Sequence, residues 1–261
     1  MPALMSVAEG RSAPIATREQ RAGTALGDLD AIAARGVLRV LVAPSDIHFR
    51  TVDGLHQGRA VDVGVDLADE IARASGRPVD AVFIETREDQ LIPALLAGRG
   101  DVAANLLLTF ARDEQVAFAP PIVEHIRELI VTPADKPLVS LEDIGGRVIH
   151  VRKDSEHHAS MLRLNEQLIK IDRPPARLVI DGAVKTDEEL LRRVDDGRVP
   201  AAIAYSYIYW VMRAQLPRVA ANRDIAVSQD GQVSWVTRKD AVKLVGLMKD
   251  FFTSRHFGFE S

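Results

Sequence analysis

The spacing of apolar positions divides the chain into short strands and amphipathic helices. Val37-Leu38-Arg39-Val40-Leu41-Val42 is a β-rich run of strand length. Over Asp62–Ser75, Val63, Leu67, Ile71 and Ala74 recur at helical spacing, and Gly76 stands where a left-handed C-terminal cap belongs. The unit then repeats: Val79–Ile84 reads as a strand, Glu88–Ala97 as a helix ended by Gly98, and Asp101–Leu108 as a further strand. A second cycle predicts a strand at Arg147–Val151, a helix at Ser155–Ile169, a strand at Arg177–Ile180, a helix at Asp187–Asp195 and a strand at Ala201–Ala204. Strands alternating with helices across short turns predict an α/β protein with βαβ crossovers. Two lobes are expected, each a mainly parallel sheet flanked by helices. A short helix at Asp28–Arg35, a loop or hairpin around Asp53-Gly54 and a last helix at Ala241–Phe252 complete the pattern. Residues 1–27 mix Ala, Ser, Gly, Pro and charges without a period and read as a flexible leader.

Composition narrows the function classes. With 47% hydrophobic and 27% charged residues in 261, the chain has ordinary globular content and ample material for a core. Lys+Arg 33 against Asp+Glu 37 gives a net charge of −4, and aromatics are few, so a nucleic-acid partner is not expected. The absence of cysteine excludes disulfides, thiol nucleophiles and iron–sulfur clusters. No apolar run is long enough to predict a transmembrane helix. Arg11, Arg18, Glu19 and Arg21 interrupt the first residues, so no export signal is read there.

The chemistry-bearing residues do not form a catalytic pattern. There is no G-x-S-x-G, H-E-x-x-H or phosphate-binding loop, and no recognisable carboxylate pair for glycoside hydrolysis. The chain therefore reads as a binder, with no cofactor and no metal. Adjacent His157 and His158 diverge by about 100° on a helix, which argues against one shared ion, and they read as a surface pair at a helix start. Met161, Leu164 and Leu168 read as a core stripe. Tyr205, Tyr207, Tyr209 and Trp210 form the main aromatic cluster, either lining a ligand site or packing inside the second lobe.

Three segments, taken together, resemble a known family. The first is Leu91-Ile92-Pro93-Ala94-Leu95 through Asp101, followed by Thr109-Phe110-Ala111-Arg112 and Val116-Ala117-Phe118-Ala119-Pro120. The second is Leu141-Glu142-Asp143-Ile144-Gly145-Gly146, and the third is Glu188–Gly197 with Ala201–Ser206. Their order resembles the bacterial extracellular solute-binding proteins of family 3, both the amino-acid receptors of ABC importers and the regulatory module of membrane-bound lytic murein transglycosylases. The resemblance implies a periplasmic-binding-protein-like Venus flytrap that closes on a small ligand. It implies a discontinuous first lobe (residues 28–131 with 232–261), a second lobe (137–228) and hinges near 132–136 and 229–232. It also implies a monomer in the periplasm or cell envelope, with an ABC permease or an attached catalytic domain as partner.

The implied site follows residue by residue. Arg112, the Arg of T-x-x-R, would grip a ligand carboxylate with its forked guanidinium. Thr109 would cap the turn before it, with Asn105 and Leu107 alongside; the family often has a hydroxyl residue at the Leu107 position. Phe49 would stack on the ligand from the first lobe. Tyr205 falls where amino-acid receptors carry an Asp for the α-ammonium, and a tyrosine brings no negative charge at neutral pH. Ser155 would cap the helix after the strand Arg147–Val151 and offer its N–H groups to an anion. Arg152 would add a second cation, unless Asp154 and Glu156 balance it in solvent. These features favour an anionic or carboxylate-bearing ligand, amino-acid-like, an organic acid or a peptidoglycan fragment. A more remote alternative is a prephenate-type dehydratase on the same fold, with Glu156 as its acid. The family's usual last helix is not recognised before Ser261, which favours the modular reading.

Overall fold

The structure, a computed structural model, describes residues 11–14, 23–153 and 155–255, with Arg223 through its backbone only. These residues form two compact units. Unit 1 holds the described residues up to Leu106, with Ala111–Pro120 and Trp235–Arg255; unit 2 holds Leu107–Phe110 and Pro121–Ser234.

In unit 1 the strand Val37–Val42 pairs in parallel with Asp80–Glu85, from Val37 opposite Asp80 to Val42 opposite Glu85. On its other side it pairs in parallel with Val102–Leu107. The crossover helix Arg59–Ser75 buries Val63, Leu67, Ala68 and Ile71, the face that the helical spacing marks. Gly76 ends it at φ 67°, its N–H bonded to the Ala72 carbonyl. The second crossover is a 3-10 turn, Glu88–Gln90, running into the helix Leu91–Leu96. Asp53-Gly54 joins the antiparallel strands Arg50–Val52 and Leu55–Gln57, as the turn dipeptide predicts.

Part of the expected leader is structural. Ser12–Pro14 is a strand antiparallel to Leu55–Gln57, with Ala13 buried. Residues 23–27 are held because two buried guanidinium groups need acceptors. Arg39 donates to the carbonyls of Gly23 and Ala25, and Arg238 to that of Gly27. Residues 1–10 and 15–22 of the leader, Asp154, and residues 256–261 assigned to the first lobe lie outside the described residues.

Unit 2 is a mixed sheet. Val148–Arg152 pairs in parallel with Arg177–Asp181 and, through Ala202 opposite His150, with Ala202–Tyr205. Beyond these lie two antiparallel strands, Val123–Pro133 beside Ala202–Tyr205 and then Val219–Thr237. The core gathers Ile130, Ile149, Val151, Ile203 and Ile225 with Met161, Leu164 and Leu168 from the helix Glu156–Lys170, the predicted stripe. The helix Asp187–Asp195 has the predicted bounds, capped by Thr186, whose hydroxyl accepts from the Glu189 N–H.

The longer stretch of unit 2 runs from Pro121 to Ser234, and the segments expected as hinges, 132–136 and 229–232, both lie within it. Within the strand Val123–Pro133, Glu128–Val131 pair with Ala202–Tyr205 on one edge, and Val219–Thr237 lies along the other.

Gly64 shows how closely unit 1 is packed. A Cβ there would lie 2.7 Å from the Phe83 ring, and Phe83 and Trp235 are both buried around it. Overpacking of this kind costs about 1–3 kcal/mol. Gly64→Ala is therefore expected to lower the urea midpoint by that stability without changing the slope. Unchanged stability in equilibrium unfolding would show that Phe83 has room to move.

Candidate functional site

The expected site residues fall into two groups. In unit 1, Arg112 lies in the short helix Phe110–Asp113 with its side chain 12% exposed and a guanidinium nitrogen 4.0 Å from the Glu88 carboxylate. Asn105 sits in the strand Val102–Leu107 at φ 59°, a left-handed conformation that an amide side chain tolerates better than most. Phe49 is 1% exposed, with ring centroids 4.8 Å from His56 and 6.1 Å from Phe83. The aromatic expected to stack on a ligand is thus packed inside unit 1. Leu107 and Thr109 belong to unit 2, both half-buried.

The other three converge in unit 2 on a residue assigned differently from sequence. His157 is fully buried, not a surface histidine: its Nδ1 lies 2.5 Å from Glu128 Oε1 and its Nε2 3.2 Å from Asp187 Oδ2. Arg152 donates from Nε to Asp187 Oδ1 at 2.9 Å. Tyr205 covers the imidazole, ring centroid to ring centroid 4.2 Å. Ser228 donates its hydroxyl to the second Glu128 oxygen at 2.6 Å. Ser155 does not cap the helix Glu156–Lys170 through its side chain, because its hydroxyl donates to the Arg152 carbonyl at 2.9 Å. Glu156 is the first residue of that helix and half-buried.

Arg152, expected to face a ligand or solvent, is paired with a buried carboxylate. Its charge is answered by Asp187, whose side chain is 3% exposed. The tyrosines, too, resolve toward packing: the helix Ser206–Met212 starts immediately after Tyr205, and Tyr205, Tyr207 and Tyr209 are all buried.

Electrostatics follow from the pairing. Burial opposes the charge on His157, but the adjacent Asp187 and Glu128 carboxylates outweigh it and hold its pKa up at about 10. Burial likewise works against ionised Asp187, yet Arg152 and then His157 depress its pKa well below the usual carboxylate range. Glu128 is depressed against its burial by the hydrogen bond and charge of His157. The cluster therefore holds two cations against two anions and is neutral as a whole. Among the described residues no group of His, Asp and Glu has the arrangement of a metal site.

Sequence reasoning missed Glu128 and Asp187. The signal for Glu128 was present: it shares strand parity with Ile126 and Ile130, so an inward-facing acid was implied once Val123–Pro133 was recognised as a strand. Asp187 carried no such mark, since an acid in the first turn of a helix is ordinary.

Because the folded pKa of His157 lies above its unfolded 6.5, its contribution to stability is complete below about pH 6.5 and lost as pH rises toward about 10. His157→Gln leaves buried carboxylates uncompensated and is expected to cost about 3–5 kcal/mol at neutral pH. Melting temperatures across that pH window should fall in the parent and fall less in the variant. A parallel decline in both proteins would contradict the pairing.

Comparison with known proteins places the chain. Residues 38–253 match the sequence model of the bacterial extracellular solute-binding proteins, family 3. The chain spans about a third of the length of the curated relatives it matches. The membrane-bound lytic murein transglycosylase F of Desulfosudis oleivorans is 25% identical over 152 residues, 58% of this chain and 32% of the relative. Among solved structures, the arginine-bound Gly52Ala mutant of ArgBP from T. maritima superposes with TM-score 0.66 at 22% identity, covering 87% of this chain and 99% of that one. Tv2483 bound to L-arginine gives TM-score 0.69 at 17% identity, covering 86% and 87%. These structures share the Venus-flytrap type of fold. With a family match over most of its length, the chain belongs to the bacterial extracellular solute-binding proteins of family 3, a family of ligand-binding rather than catalytic domains.

Proposed function

We propose that the chain captures a small carboxylate-bearing solute by hinge closure in the cell envelope, with Arg112 gripping the carboxylate. The observation that carries this reading is Arg112 itself: a guanidinium partly open to solvent, following Thr109 in the T-x-x-R order and held near Glu88. Glu88, 4.0 Å from the guanidinium, would orient the fork toward a ligand carboxylate. The arginine-bound structures of the same fold support an amino-acid-like ligand class. The ammonium half of such a ligand has a weaker claim here. Tyr205 is buried against His157, and Asp187 and Glu128 are taken by His157 and Arg152. The proposed ligand is thus defined by its carboxylate, and a free α-ammonium is not required. Delivery to an ABC permease is the corresponding partner.

A second reading is supported by the curated relatives. Their names describe lytic transglycosylases, and the chain matches a third of their length. In that setting the same carboxylate grip would sense a peptidoglycan fragment and regulate an attached catalytic domain.

A thermal-shift panel of amino acids, dicarboxylates and muropeptides tests both. At about a hundred times its Kd, a ligand should raise Tm by roughly 5–10 °C. The rise should vanish in Arg112→Ala. A muropeptide hit would favour the regulatory reading, and hits that survive Arg112→Ala would overturn the assignment of Arg112.

A further inference from the structure

Unit 2 carries a concavity at the end of its parallel strands opposite Arg152, Asp181 and Tyr205. A cavity of about 200 Å³ opens where the strands Val148–Arg152, Arg177–Asp181 and Ala202–Tyr205 begin. Its apolar surface comes from Pro133, Val148 and Pro200, and three cations stand at it: Lys136, Arg147 and Arg177.

The two arginines donate to carbonyls. Arg147 donates from Nε to the Asp143 carbonyl at 2.7 Å and from Nη1 to the Lys136 carbonyl at 3.5 Å. Arg177 donates from Nε to the Gly146 carbonyl at 3.3 Å. The Asp143 carboxylate, the acid closest in sequence to Arg147, is turned to the N–H groups of Val139 and Ser140, both at 3.0 Å. Arg152 and Arg39, by comparison, are each hydrogen-bonded to a buried carboxylate, whereas the Asp143 carboxylate acts on Arg147 through its charge alone. Here positive charge gathers over an apolar hollow with the Arg177 Nη groups outside those carbonyl bonds.

We infer that this hollow is a second ligand site, taking a small organic anion whose carboxylate meets Arg147 and Arg177 and whose hydrocarbon body lies on Pro133, Val148 and Pro200. Guanidinium forks suit a carboxylate, and the apolar lining rewards a hydrocarbon body that an inorganic oxyanion lacks. The site rests on unit 2 alone and is independent of Arg112.

The test is a titration of the full chain with 3-phenylpropionate, followed through backbone amide NMR shifts, beside inorganic phosphate. Saturable shifts at Gly146, Val148 and Ala201 are expected, equal in the parent and in Arg112→Ala. The double variant Arg147→Gln with Arg177→Gln should weaken binding at least about tenfold. If that variant fails to fold, Arg177→Gln with Lys136→Gln, both on exposed side chains, carries the same expectation. No saturable shift up to about 10 mM would overturn the site. So would binding indifferent to the variants, and phosphate binding as tightly as 3-phenylpropionate would overturn the assigned ligand class.

Discussion

Two carboxylates and two cations buried in unit 2 must balance one another, and the local architecture depends on that balance. Asp187 is shared by Arg152 and His157, and His157 is shared by Asp187 and Glu128. The four residues come from the strands Val123–Pro133 and Val148–Arg152 and from the first turns of the helices Glu156–Lys170 and Asp187–Asp195. Burying one such charge alone costs several kcal/mol, so each element is held where its partner's charge requires it. Unit 1 uses the same device. Asp101 accepts from the backbone and side chain of Arg39 and from Arg35, and Arg39 in turn fixes residues 23–25 through their carbonyls.

Much of the fold was legible because its signals are local. Helical spacing from Val63 to Ile71, the cap at Gly76, the Asp53-Gly54 turn and the helix Asp187–Asp195 each depend on residues close in sequence, and each stands where the pattern put it. What was not legible depended on distant partners. The strand Val123–Pro133 went unrecognised, so Glu128 was not seen to face inward. The residues 23–27 looked like leader because their acceptor role is visible only once Arg39 and Arg238 are buried beside them. His157 was misassigned for the same reason: nothing in its neighbours along the chain announces Glu128, 29 positions away, or Asp187, 30 positions away.

The cluster gives several of the expected ligand contacts partners inside unit 2. Arg152, Tyr205 and Ser155, all plausible ligand contacts by sequence, are engaged with Asp187, His157 and the Arg152 carbonyl. Arg112, the arginine of the T-x-x-R order, lies 4.0 Å from the Glu88 carboxylate. Within unit 2 the charges of Glu128, Arg152, His157 and Asp187 answer one another.

The most direct test of that account is the ionisation state of His157, read from its imidazole nitrogen shifts in a histidine-labelled sample titrated through the alkaline range. The account predicts a doubly protonated ring at neutral pH that titrates only near pH 10. A neutral imidazole at pH 7 would contradict it, since Glu128 and Asp187 would then share no cation between them.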